Sequence, residues 1–114
     1  MNPFLFNYYN MNKRNEQGQP HGPWEKYWSD GNLEYKANYL NGKLHGPWEE
    51  YYSNGKLRFK GNYLNDKRHG PWEVYYYLNC ELNYKGSFIN DKKHGPWEWY
   101  HRNGNLYEIE YYII

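Results

Sequence analysis

The chain's 114 residues include 14 basic and 13 acidic side chains, a formal charge of +1, and the two signs alternate freely along the sequence. That balance excludes the basic stripe on which duplex nucleic-acid binding depends, and no apolar run approaches the roughly 18 residues of a membrane-spanning helix. The one cysteine, Cys80, excludes an internal disulfide and agrees with a reducing compartment.

Aromatic residues make up 23% of the chain, with six Trp and sixteen Tyr. Each large ring buries roughly 150–250 Å² while its polar edge stays wet, so rings can build a core in a sequence that otherwise reads as hydrophilic. The expectation is one small folded unit over residues 1–114. A chain of this size buries only about two thirds of its unfolded surface, which leaves little room for a deep pocket and points away from an enzyme. The N-terminus, "MNPFLFNYYN", lacks the charged and apolar regions of a signal peptide, so the expected location is cytoplasmic.

In chain order, residues 1–20 read as a degenerate half-repeat: "FLFNYY" has the character of a second strand, and "NEQGQP" inserts before the first His-Gly-Pro. Full copies follow at 21–44, 45–68 and 69–93, and a divergent one at 94–114. The key tryptophans fall at 24, 48, 72 and 97, spacings of 24, 24 and 25 residues that mark a repeat array. Within the second copy, "PWEEYYS" and "KLRFKGNYL" are strand-like and flank Asn54-Gly55, which predicts a β-hairpin. Asp30-Gly31, Asn54-Gly55 and Asn103-Gly104 are expected to form two-residue type I′ turns. His-Gly-Pro is expected to form the second turn of each unit, its Pro opening the next strand. The predicted fold is all-β: an elongated, single-layer antiparallel sheet of tandem β-hairpins.

Leu57, Phe59, Gly61 and Tyr63 fall on one face, and Lys56, Arg58, Lys60 and Asn62 on the other. In the Trp strand aromatics occur on both faces, so parity does not decide which is buried. The expectation is a curved ring face filled by Trp stacking on its neighbours in adjacent repeats, with the small residues at 37, 61 and 86 leaving room for a facing ring. In the third copy "YYYLNCEL" adds one residue and loses Asn-Gly, which predicts a longer or bulged tip. In the last strand Glu108 and Glu110 replace Phe59 and Gly61, while Ile109 and Tyr111 replace Lys60 and Asn62. Its two faces have exchanged polarity, which suggests a contact surface and self-association through that edge.

"YLNGKLHGPWEEYYSNGKL" (39–57) and "YLNDKRHGPWEVYY" (63–76) resemble the MORN repeat, in the bacterial variant found in YwqK-type antitoxins. The resemblance spans about residues 21–106. It implies strand hairpins stacked into an elongated sheet, no chemistry of its own, and a role in binding proteins or, in some eukaryotic members, lipids.

His21, His45, His69 and His94 do not suit a metal, because equivalent imidazoles would lie roughly 9.6 Å apart and zinc needs nitrogens within about 3.5 Å. Glu25, Glu49, Glu73 and Glu98 form a carboxylate row, but a repeated Glu has the same surroundings each time, whereas acid and base catalysis needs different ones. Cross-strand pairing with Lys or a Tyr hydroxyl is the expected use. No catalytic residue, metal or cofactor is expected, and Cys80 reads as a passive thiol.

The function these features suggest is a non-enzymatic protein-binding module that docks on and blocks a partner, such as a toxin or a nuclease-like effector. A phage-encoded inhibitor of a bacterial nuclease defence of the CRISPR type fits the same features. The alternative from another class is a binder of nucleotides or single-stranded nucleic acid through the aromatic rows, although the few arginines are not clustered; otherwise nucleic acid would be reached only indirectly. A membrane partner is not expected, since only Lys92-Lys93 resembles a polybasic cluster. Candidate contacts are positions where the copies differ on a constant scaffold: Lys26, Trp28, Glu50, Tyr52, Val74, Tyr76, Trp99 and His101, with Ile109, Tyr111 and Ile113 on the last strand.

Overall fold

The structure, a computed structural model, describes residues 11–113, so the half-strand expected over "FLFNYY" lies outside the described residues. The strands are β1 (Gly22–Tyr27), β2 (Leu33–Leu40), β3 (Lys43–Leu44), β4 (Gly46–Tyr51), β5 (Leu57–Leu64), β6 (Lys67–Arg68), β7 (Gly70–Tyr75), β8 (Leu82–Ile89), β9 (Lys92–Tyr100) and β10 (Leu106–Tyr112). They form one antiparallel sheet in the order β1-β2-β4-β5-β7-β8-β9-β10, with β3 beside β2 and β6 beside β5. The predicted all-β, single-layer hairpin array is therefore what the chain adopts. The radius of gyration is 16.4 Å, against about 13 Å for a compact domain of this length.

Both turn assignments need correction. Two-residue type I′ turns are present, but at Asn41-Gly42, Asn65-Asp66 and Asn90-Asp91, where both residues have positive φ (48° and 86°, 50° and 67°, 48° and 67°). At the hairpin tips only the glycine has positive φ. There the Gly31, Gly55 and Gly104 amides donate to the carbonyls of Trp28, Tyr52 and His101, while the amides of those three residues donate to Asn32, Lys56 and Asn105. Those bonds define three-residue loops, a type I turn followed by a left-handed glycine. The Asp or Asn of each tip serves as a side-chain acceptor: Asp30, Asn54 and Asn103 accept the backbone amides of Asn32, Lys56 and Asn105 at 2.9, 3.0 and 2.9 Å.

His-Gly-Pro is not a turn. Leu40 pairs with Lys43 and Tyr39 with Leu44, the His45 amide still donates to Asn38, and beyond it Lys36 pairs with Glu49 and Tyr35 with Glu50. Two residues have been added to one strand only, so His-Gly-Pro forms a bulge that re-aims the chain in mid-strand. Its glycine is in the left-handed region, with φ of 103° at Gly46. In the third copy the tip closes from the Tyr76 amide to Glu81, one residue longer than the others, as expected, and Cys80 (φ 59°) takes the left-handed place of glycine.

The buried core lies on the face that carries Trp24, Trp48, Trp72 and Trp97. Trp48 stands opposite Gly61 and Trp72 opposite Gly86. Across the repeat boundary, Trp72 roofs Gly61 and Trp97 roofs Gly86, so closely that a Cβ at either glycine would lie 2.1 Å from a ring carbon. The prediction of small residues beneath facing rings is borne out. So is the expected stacking of each Trp on its neighbours in adjacent repeats: tryptophans alternate with rings of the second strands. Trp48 lies 4.8 Å from Tyr35, Trp72 5.5 Å from Phe59, and Trp97 5.0 Å from Phe88. The bulge spaces successive Trp strands so that a Tyr or Phe fills each gap. Ala37, Phe88 and Trp97 are the buried apolar residues among those described, and Trp97 is the one fully enclosed.

Candidate partner-binding surface

Register sorts the candidate residues into columns. Trp28, Tyr52, Tyr76 and His101 open the four hairpin tips. Lys26, Glu50, Val74 and Trp99 form a second column on the ring face, opposite Tyr35, Phe59, Tyr84 and Glu108. Ile109, Tyr111 and Ile113 alternate along β10 and its end, on the face away from the rings.

Several of these side chains are engaged inside the array. The Tyr52 and Tyr76 hydroxyls each donate, at 2.6 Å, to a carbonyl of the next repeat, Tyr75 and Tyr100 respectively. Each hairpin has a one-residue bulge on its second strand, at Glu34, Arg58, Asn83 and Tyr107, because the register slips there. That extra residue turns toward the variable column: Glu34 pairs with Lys26 at 3.7 Å and Arg58 with Glu50 at 3.1 Å. The charge at column position 26 is reversed at 50, and the charge at the bulge is reversed with it. Variation in this column is thus matched within the same hairpin, although such exposed pairs contribute only about 0–1 kcal/mol each. In the last copy the bulge residue Tyr107 meets the neighbouring tip residue instead, its ring 4.4 Å from that of His101.

The opposite face carries a charge ladder. Glu25, Lys36, Glu49, Lys60, Glu73, Lys85 and Glu98 pair in succession across the strands, and Ile109 follows where another lysine would continue. Lys36–Glu49, Lys60–Glu73 and Lys85–Glu98 are 3.4, 3.4 and 3.5 Å apart. Each glutamate also accepts a tyrosine hydroxyl two residues on: Tyr27 to Glu25, Tyr51 to Glu49, Tyr75 to Glu73 and Tyr100 to Glu98. Both expected partners, lysine and tyrosine, are therefore used. Successive prolines wall three shallow recesses over this ladder, of about 280, 340 and 370 Å³, floored by residues 36–38, 60–62 and 85–87. Glu49 and Glu73 share the same surroundings, a lysine on either side and a tyrosine hydroxyl, whereas Glu25 and Glu98 stand at the two ends of the ladder.

These hydroxyls titrate late. Burial, then the bond to the neighbouring glutamate, pushes Tyr51 and Tyr75 up to about 12; for Tyr100 the bond to Glu98 is the larger cause. The same bonds hold Glu49 and Glu73 below the usual carboxylate range, helped by lysine and opposed by burial. Because the folded tyrosine values are raised, their stabilisation is complete below about pH 10 and is lost as pH rises through about 12. Because the glutamate values are lowered, theirs is present above the ordinary value of 4.5 and fades as pH falls through the folded value. A phenolate absorbance titration is expected to show a late phase that shrinks by three tyrosines in the Tyr51→Phe, Tyr75→Phe, Tyr100→Phe variant. Titration of all tyrosines together near pH 10 in folded protein would contradict this.

Exposed apolar side chains lie at the hairpin tips, on β10 and, as Leu40 and Leu64, beside the turn edge. Trp28, Tyr77, Leu78, Leu106 and Tyr107 lie at or beside tips, and Ile109, Tyr111 and Ile113 at the last strand. Tyr77, Leu78, Leu106 and Tyr107 were not among the sequence candidates. Their signal was present: the first two sit in the inserted tip, and the others follow Asn103-Gly104-Asn105.

At the turn edge the repeats are stitched by side chains. Asp66 accepts the Leu44 amide and Asp91 the Arg68 amide, both at 2.7 Å. Among the described residues no group of three or more His, Cys, Asp and Glu is arranged to hold a metal ion, and no helix is long and apolar enough to cross a membrane.

A family model for a MORN repeat variant matches residues 20–41, 44–65 and 93–113, more than half of the chain. The third copy, with its lengthened tip, falls outside the match, yet β7 and β8 keep the register of β4 and β5. No curated protein matches the chain.

Proposed function

Since the chain belongs to the MORN repeat variant family, we propose that it is a non-enzymatic module whose preformed sheet docks on another protein and blocks it. The observation that carries this reading is the placement of exposed apolar groups at the tips and on β10, while the ring face is filled with its own side chains. A surface already rigid before binding avoids most of the ordering cost of association, and Trp and Tyr are residue types that dominate interface energy. An antitoxin-like role of the YwqK type, or an inhibitor of a nuclease-based defence, requires such a surface and no chemistry. The ring rows suit nucleobases less well, because their faces are stacked on one another.

The test is capture of partners by tagged chain from lysate of its own host, with nuclease-treated and untreated arms. A stoichiometric protein retained after nuclease, and lost about tenfold or more with Trp28→Ser, Tyr77→Ser and Tyr107→Ser combined, is the expected result. Recovery of nucleic acid alone, or capture unaffected by those substitutions, would overturn it.

A further inference from the structure

Glu110 stands opposite Trp97 in the place that Gly61 holds opposite Trp48. Gly61 and Gly86 are roofed by the tryptophan of the following repeat, with no space even for a Cβ. A glutamate at that place bars another tryptophan from stacking on β10. The ring face therefore terminates here on steric grounds, and Glu108, opposite Trp99, adds a second carboxylate beside the first.

The other face of β10 changes in the opposite sense. The ladder stops at Ile109, which faces Glu98, and Tyr111 and Ile113 are 70% and 94% exposed. In the described sheet β10 is the last strand, so its outer row of backbone groups is unpaired. Edge strands are normally guarded by charges, prolines or bulges, and on β10 the bulge lies at Tyr107, before the regular run from Glu108 to Tyr112. Here carboxylates line one side of the strand and apolar groups the other. Among the described residues no ion pair engages Glu108 or Glu110, and Glu110 accepts only the Tyr112 hydroxyl, at 2.8 Å. The cation on this part of the ring face, Lys93, lies over Trp97, Tyr112 and Trp99, 4.7, 5.1 and 5.8 Å from their ring centres.

We propose that the outer edge of β10 is a strand-addition site for an extended segment of a partner protein in which basic residues alternate with apolar ones. This rests on the protein-binding reading above and names the partner's chemistry. In such a pairing the basic side chains lie beside Glu108 and Glu110, and the apolar ones beside Ile109 and Tyr111, while the backbone completes its hydrogen bonds. A second copy of β10 is a poor occupant. About a two-fold axis, Glu108 and Glu110 of one chain meet the same residues of the other, and like charges directly opposite destabilise a sheet.

The test uses labelled, end-capped heptapeptides of alternating lysine and valine, of alternating glutamate and valine, and the lysine peptide N-methylated at alternate backbone amides. Fluorescence anisotropy near physiological salt is expected to show saturable binding of the lysine peptide. The glutamate peptide should bind at least about tenfold more weakly, and N-methylation should abolish binding. The Glu108→Lys, Glu110→Lys variant alters exposed positions only and should reverse the charge preference. Equal binding of both charges, a preference unmoved in that variant, or undiminished binding of the N-methylated peptide would each overturn the proposal, as would a dimer that the peptide disperses. Partner capture separates the two readings. Loss of the captured protein on tip substitution but not on Glu108→Lys, Glu110→Lys refutes strand addition and leaves protein binding standing.

Discussion

Replacing Trp97 with alanine is expected to lower folding stability by about 3–5 kcal/mol, the range for removing a fully buried large aromatic side chain. Trp97 is 1% exposed. Its ring lies 5.0 Å from Phe88, 6.3 Å from Tyr84 and 6.5 Å from Tyr112, and its Nε1 donates to the Ser87 carbonyl at 3.2 Å. Lys93 covers the ring from solvent, and Gly86 lies beneath it. Glycine has no side chain with which to fill the space left by the ring, so collapse must come from the backbone. A domain whose total stability is about 5–15 kcal/mol would lose a large part of it. Trp28→Ala, at a tip and 37% exposed, is the control and is expected to cost well under about 1 kcal/mol. Urea unfolding followed by far-ultraviolet circular dichroism measures both, and equal losses at the two sites would refute the central role of the Trp97 stack.

Gly86→Ala tests the same contact from the other side. Gly86 is not in the left-handed region, so its backbone accepts alanine and the nearest obstacle is the Trp97 ring, with atoms 2.1, 2.2 and 2.6 Å from the new Cβ. Overpacking of this kind costs about 1–3 kcal/mol. The first repeat shows how a methyl group is accommodated. Ala37 occupies the equivalent place, and Trp48 lies flat on Tyr35 at 4.8 Å and 7°, whereas Trp97 is tilted 33° from Tyr84 at 6.3 Å. The substitution is expected to drive Trp97 toward the seat that Trp48 occupies. Combining it with Trp97→Leu, which removes the obstructing ring, should leave the pair less destabilised than the sum of the single changes by about 1 kcal/mol or more. Additive losses would mean that the glycine matters for reasons other than the ring above it.

The hairpin array was legible because the tryptophan period is nearly constant and each strand has strong β formers. The turns were less so, because Asn-Gly and Asp-Gly suit two loop geometries. At Asn41-Gly42 both residues take positive φ, while at Asn54-Gly55 only the glycine does, and the choice depends on how many residues the flanking register leaves between strands. His-Gly-Pro reads as punctuation in one dimension. Only the two-residue register shift between Leu44 and Glu49 shows it to be a bulge within a continuing ladder.

Which face is buried was illegible along the Trp strand, since Trp48 and Tyr51 point to opposite sides and both are aromatic. The glycine opposite Trp48 decides it. Among the candidate contacts, the match between Lys26 and Glu34 and its reversal at Glu50 and Arg58 needed the bulge, which brings residues eight apart into contact. The exchange of polarity in the last strand was visible in the sequence. Its steric meaning at Glu110 appeared only with the ring that roofs Gly86.

The order of pairing has a consequence for how the chain is made. Each hairpin adds to the hairpin synthesised just before it, through strands adjacent in sequence and turns such as Asp66 and Asp91 that reach back one repeat. Contacts this local favour rapid assembly while the chain emerges from the ribosome, one repeat at a time. Until β10 arrives, each nascent intermediate ends on a strand whose roofing tryptophan is still to come. The glutamate at 110 ends that succession: it is the first position in the series that asks for no ring above it.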